Sequence, residues 1–254
     1  MPESLSVAKS RSAGAQAHPV GRTRAARLGK PQPTLPILRT YYDALFRAYG
    51  EQHWWPGETA FEVVLGAILV QNTSWVNAAR AIANLRSAGL LTPAALEKTQ
   101  RGDLARLIRP SGYFRQKARK VHEFLRFLRR EYRGSLDAMF RTPTARLREQ
   151  LLGIHGIGPE TADSILLYAG NHPVFVVDAY TRRILQRHGF THGKESYEEL
   201  RGLFERSLPK DVSLFNEYHA LIVHTGKEYC RSREARCTDC ALRAFLLEGA
   251  EVRV

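Results

Sequence analysis

"LLGIHGIGPETADSIL", residues 151 to 166, reads as two helical pieces joined by the turn Gly156-Ile157-Gly158. Pro159 suits the first position of the second helix, and Glu160 is an acid favoured by that helix's dipole. The glycines leave backbone N–H groups bare at a helix N-terminus, with Thr161 beside them. Unpaired donors and the dipole together favour an anion, and glycine lets a strand of nucleic acid come close. Ile157 points inward and fixes the turn. A plain helix–turn–helix with a glycine cap fits the same residues, so this stretch alone leaves both readings open.

Outward from the turn, the apolar pattern stays helical. In "LRTYYDALFRAYG", Leu38, Tyr41, Leu45 and Tyr49 recur at spacings of three and four. "TAFEVVLGAILVQ" is apolar on nearly every side and predicts a central buried helix. "SWVNAARAIANLRSAG" opens on Ser74 as a cap and stops near Gly89. "RQKARKVHEFLRFLRREYRG" pairs an apolar side with a dense basic one. "TARLREQLLGIHG", "VDAYTRRILQRHG", "SYEELRGLFERSLP" and "DVSLFNEYHALIVHTGKEYC" continue the series. The one β-like run, "PVFVV", is short and unpaired. The expected fold is all-α.

Of the 254 residues, 38 are Lys or Arg and 25 are Asp or Glu, giving a formal net charge of +13. That excess points to a polyanion. No apolar run approaches the roughly 20 residues of a membrane span, and no secretion signal is read at the N-terminus. The three cysteines make no disulfide framework, so a cytoplasmic setting is expected. Residues 1–33 are poor in large apolar side chains and read as a disordered basic arm. Residues 34–229 form the expected main domain, with a central lobe near 58–165 and a second from 34–57 and 166–229. Residues 230–254 form a cysteine-containing C-terminal loop.

Further along from the glycine turn, "VFVVDAYTRRIL" ends an apolar run in Asp178 at the mouth of a helix. The whole stretch "LLGIHGIGPETADSILLYAGNHPVFVVDAYTRRIL" resembles the helix-hairpin-helix, Gly/Pro-rich loop and aspartate motif of the endonuclease III (HhH-GPD) superfamily of DNA glycosylases. The likeness extends to "AILVQNTSWVNAARA", "SGYFRQKARKV" and "GKEYCRSREARCTDC". It implies two helical lobes with a DNA-binding cleft between them, and a monomeric enzyme of base excision repair acting on double-stranded DNA with a damaged base. Such an enzyme extrudes the base and cleaves its N-glycosidic bond. Cleavage builds positive charge on the sugar, which a fixed carboxylate stabilises. By match to the motif that carboxylate is Asp178, whose position also suits an N-cap.

In the lyase branch of the family, a lysine stands at the second place after the hairpin's last glycine. Here that place holds Glu160, and a carboxylate cannot form an imine. The resemblance, broken at this residue, implies monofunctional hydrolysis. "WWP" at Trp54, Trp55 and Pro56, with Glu160 and "VVDAY", is similar to the bacterial 3-methyladenine glycosylases of endonuclease III type. Trp54, Trp55 and Phe61 would offer ring faces to a cationic base. Gln71 matches the family's wedge residue, which fills the space the base vacates, and Asn72 and Thr73 would contact phosphates. Lys117 belongs to a second expected phosphate surface with Arg115, Arg119 and Lys120.

"CRSREARCTDC" spaces Cys230, Cys237 and Cys240 as in family members that bind a [4Fe–4S] cluster. The fourth cysteine position holds Leu246. The resemblance leaves three states open: a cluster with a non-cysteine fourth ligand, a three-iron or labile cluster, or a decayed loop without metal; a degenerate site, unneeded for the chemistry itself, is the expectation.

Overall fold

The computed structural model describes residues 35–246. The basic arm and the last part of the C-terminal loop lie outside the described residues. Twelve α-helices occur among them: α1 (Leu35–Tyr49), α2 (Ala60–Leu69), α3 (Trp75–Ser87), α4 (Pro93–Glu97), α5 (Arg101–Leu107), α6 (Phe114–Tyr132), α7 (Leu136–Phe140), α8 (Thr144–Leu152), α9 (Pro159–Ser164), α10 (Ala179–Arg187), α11 (Tyr197–Ser207) and α12 (Val212–Glu228). No strand occurs among the described residues; one isolated antiparallel bridge joins Cys230 to Ala235. The all-α expectation holds.

Local chemistry sets the helix starts. Thr59, Ser74, Thr92, Ser135, Asp178, Ser196 and Asp211 each accept a backbone N–H from the first turn of the next helix. Each such cap is worth about 1 kcal/mol. Helix α2 is buried without a break from Phe61 to Leu69, so it can only be central. It packs against α3, α6 and α9. Helices α1, α11 and α12 pack together, and α10 lies along α12. One continuous hydrophobic core runs through both groups.

Two features of this packing position Tyr168 and Asp178. Helix α9 does not end at Ser164 but loosens into a π-helical turn, Ile165–Ala169, which contacts both α2 and α12. Such turns shift the register of side chains and are common where function requires it. The "PVFVV" run joins no strand among the described residues. Val174 N–H donates to His172 O at 2.8 Å, and two further donors are met by side chains: Phe175 N–H donates to Glu205 Oε1 at 3.0 Å, and Val177 N–H to the Tyr197 hydroxyl at 3.4 Å. Phe175 stacks on Phe204 with ring centroids 3.9 Å apart, and meets Phe215 edge-on. The segment is thus clamped between α11 and α12, and it delivers Asp178 to the start of α10.

Candidate active site

Asp178 caps α10, but with one oxygen only. Its Oδ1 accepts from Thr181 N at 2.8 Å and from Thr181 Oγ1 at 2.9 Å. Its Oδ2 lies 3.7 Å from His219 Nε2 on α12, and the carboxylate is 12% exposed. The cap thus occupies Oδ1 and leaves Oδ2 outside it, so capping does not exclude a second role for Asp178. Helix α10 can approach α12 because residue 226 is a glycine. A Cβ there would collide with the ring of Tyr180.

Glu160 stands in the first turn of α9. Its side chain is open to solvent, yet protein crowds it, and its pKa is pushed up to about 7. Burial is the main cause and the Asp178 charge the second, with Arg182 opposing both. The folded protein takes up this proton more readily than the unfolded chain, whose glutamate titrates near 4.5. Stability is therefore lost as pH rises from about 4.5 to about 7. We expect Glu160→Gln to gain on the wild type across that interval and to hold a constant lead above it. Urea midpoints at pH 5, 6 and 8 check this, and a pH-independent difference contradicts it.

The hairpin is built as the glycines suggest. Ile157 is buried, while Gly158 is exposed with open space where a Cβ would stand. No side chain caps α9. Gly156 adopts a φ of +87°, and a Cβ on it would sit 2.6 Å from the Lys120 chain. Gln71 does not stand free as a wedge. Its amide nitrogen donates to Gly156 O at 3.2 Å and Thr161 Oγ1 at 2.9 Å, and its carbonyl accepts from Lys120. Asn72 is exposed with φ +54°; Thr73 Oγ1 accepts from Asn77 at 3.0 Å.

Lys117 is a correction. Expected on a DNA-facing surface, it is 2% exposed. Its ammonium donates to Leu69 O at 2.9 Å and Ser111 O at 2.6 Å, closing the end of α2 onto the loop before α6. Burial lowers its pKa to about 8, aided by Lys120. We expect Lys117→Met to alter thermal stability while leaving the salt dependence of DNA binding unchanged. A buried ammonium releases no counterion, whereas each lost phosphate contact lowers the slope by about 0.9. A measured drop of that size contradicts the structural role.

Trp54, Trp55 and Trp75 form an aromatic cluster. Trp55 meets Trp75 edge-on at 5.0 Å and Tyr168 at 4.9 Å; Trp54 meets Trp55 at 5.6 Å. The Trp54 face already carries the Lys227 ammonium, 5.4 Å from its centroid. Pro56 is exposed beside them. Phe61 is 3% exposed and lies in the core, so it does not offer a face to a ligand. The sequence reading missed Trp75, Tyr168 and His219. The Tyr168 hydroxyl meets His219 Nδ1 at 2.5 Å, which links the π-turn to the carboxylate. For His219 the available signal was its helical spacing from Phe215 and Ile222 on the buried side of α12.

Cys230, Cys237, Cys240 and Leu246 line one small cavity with Arg187 and His188. Burial and the neighbouring thiols raise the pKa of Cys237 and Cys240. Arg187 Nη1 donates to Cys230 Sγ at 3.3 Å. The fourth corner is a leucine side chain, which has no lone pair to give. These residues do not fit a cluster held by four thiolates, and no group of His, Cys, Asp or Glu among the described residues is arranged to hold a metal ion.

Comparison with known proteins agrees with this architecture. Residues 65–210 match the family model of the HhH-GPD superfamily of base excision DNA repair proteins. A Methanocaldococcus jannaschii protein, MJ1434, is 46% identical over 213 residues, covering 83% of this chain and 96% of its own; its assignment as a DNA repair glycosylase is itself provisional. The Helicobacter pylori 3-methyladenine DNA glycosylase MagIII, solved with 1,N6-ethenoadenine, superposes with a TM-score of 0.63 at 29% identity, covering 76% of this chain and 95% of that one. An endonuclease III–DNA complex shares the fold at a TM-score of 0.74 and 22% identity, over 86% of this chain and 97% of that one. With a capped aspartate, a bare glycine hairpin and these matches in hand, the chain belongs to the HhH-GPD superfamily of base excision DNA repair proteins, and within it to the DNA glycosylases.

Proposed function

We propose that this chain is a monofunctional glycosylase that removes alkylated purines of the 3-methyladenine type from duplex DNA. The observation that carries the proposal is Glu160. At the place where an imine-forming amine would stand, the chain carries a carboxylate electrostatically coupled to Asp178. Without that amine, water is the nucleophile. The C1′–N bond breaks, its electron pair leaves with the base, and water oxygen adds to C1′ while its proton passes to the carboxylate. Asp178 Oδ2 is the oxygen available for both tasks, since Oδ1 is held by Thr181. An alkylated purine that carries positive charge leaves as a neutral base and needs little acid assistance. Duplex DNA would be gripped by the Gly156–Gly158 turn and the bare start of α9.

The choice of lesion is supported by the MagIII likeness and by the tryptophan cluster. Lys227 over Trp54 weighs against cation stacking on that ring, which leaves Trp55 and Trp75 as the aromatic surfaces for the base. Duplexes carrying one 3-methyladenine, one 1,N6-ethenoadenine or one oxidised pyrimidine decide the matter when product is scored before and after alkali. Cleavage of alkylated-purine duplexes only after alkali is the expected result. Strand scission without alkali, with a borohydride-trapped adduct, would overturn the monofunctional reading in favour of a lyase. Binding with no product on any duplex would overturn the enzymatic one.

A further inference from the structure

His219 has no part in the chemistry described so far, yet it is the group that faces Asp178. It lies on α12, 5% exposed, and its Nε2 is fully buried with no hydrogen-bond partner in reach. Its other nitrogen is fixed. The Tyr168 phenol is pushed well above its ordinary pKa, by burial first and then by the Asp178 and Glu160 charges, so it keeps its proton. The 2.5 Å contact to Nδ1 is the one hydrogen bond that hydroxyl makes among the described residues, and we infer that its proton goes there, with Nδ1 accepting. A neutral imidazole whose Nδ1 accepts carries its proton on Nε2. Burial also lowers the His219 pKa, with Asp178 opposing, which keeps the ring neutral. Nε2–H then faces Asp178 Oδ2 across 3.7 Å. That oxygen is free of the Thr181 contacts that hold Oδ1.

We propose that His219 is a positioning residue for Asp178: the Tyr168 hydroxyl locks its tautomer, and Nε2–H donates to Oδ2 once DNA fills the site. Catalytic hydrogen bonds are often long in the free enzyme and tighten in the complex. A neutral donor is the suitable one here. It fixes the carboxylate's direction without cancelling the charge that stabilises the cationic sugar, as an imidazolium would. The inference rests on Asp178 serving the glycosylase reaction, but two of its consequences can be read without turnover.

Four variants test it: His219→Leu, His219→Gln, Tyr168→Phe and Asp178→Asn. Nitrogen-15 NMR of the wild-type imidazole is expected to show the proton on Nε2, with that signal moved in Asp178→Asn and tautomers mixed in Tyr168→Phe. In single-turnover excision, His219→Leu is expected to lose roughly 10- to 100-fold while DNA affinity stays within about threefold. His219→Gln, whose amide N–H can take the place of Nε2–H, is expected to recover most of that loss. A proton on Nδ1, or an Nε2 signal indifferent to Asp178→Asn, would overturn the proposal. So would equal losses in the Leu and Gln variants, which indicate a merely structural histidine. A wild type inert on alkylated purines would overturn the function proposed above, while the NMR signatures still decide the role of His219.

Discussion

Asp178→Asn is expected to lower excision by about a thousandfold or more while DNA affinity holds or rises. The size comes from removing a fixed charge aimed at a developing cation, worth about 4 kcal/mol of barrier. The substitution is a clean one because of how Asp178 is held. An asparagine carbonyl can still accept from Thr181 N and Thr181 Oγ1, so the cap on α10 survives. Affinity comes mostly from phosphate contacts, and losing one negative charge does not weaken them. Single-turnover rates and equilibrium binding on the same lesion duplex measure the two effects separately. A parallel fall in affinity and rate would mean that Asp178 shapes the binding surface rather than the reaction. Asp178→Ala is the less informative variant, since it removes the cap as well, at about 1 kcal/mol.

Arg148→Met is expected to destabilise the fold by about 3 kcal/mol, the cost of taking the bidentate ion-pair partner from a buried carboxylate that keeps only Tyr197 and the Arg201 charge. Arg148 lies on α8 and Asp163 on α9, one on each side of the glycine turn. Arg148 Nε donates to Asp163 Oδ1 at 2.7 Å and Nη2 to Oδ2 at 3.1 Å, while Nη2 also reaches Glu198 on α11 at 2.6 Å. Asp163 is completely buried. Its pKa is raised even with the arginine present, since burial outweighs the hydrogen bonds and charge of Arg148. Without the arginine, the folded state must protonate Asp163 or bear the charge. The deficit therefore shrinks as pH falls into the carboxylate range. Thermal midpoints should drop by roughly 10 °C near neutral pH. The double variant Arg148→Met with Asp163→Asn should recover part of that drop. A surface-like loss below about 1 kcal/mol would show that the pair does not clamp the hairpin.

Much of the fold was legible locally because helices are specified by neighbours in sequence. The run "AFEVVLGAIL", apolar on nearly every side and interrupted only by Glu62, reads as a central helix, and α2 is one. Ser74 and Asp178 announced helix starts and cap them. The composition of "RQKARK" suggests one charged surface, but Lys117 does not belong to it. On a helix, position 117 shares a stripe with Val121, Phe124 and Leu128, all buried. Periodicity therefore placed that lysine inside, and composition hid it.

Short-range sequence is enough to settle where helices begin, which face each one buries, that a glycine turn precedes an acid rather than an amine, and that an aspartate opens α10. Those properties depend on residues within a few positions of one another. Packing alone brings Trp55, Tyr168 and His219 together near Asp178, ties Gln71 to Gly156, and turns a leucine toward three thiols. Such neighbours come from separate helices and loops, and their meeting depends on how whole faces fit. A π-turn that shifts Tyr168 and a glycine that admits Tyr180 change that fit without leaving any periodic mark in the chain.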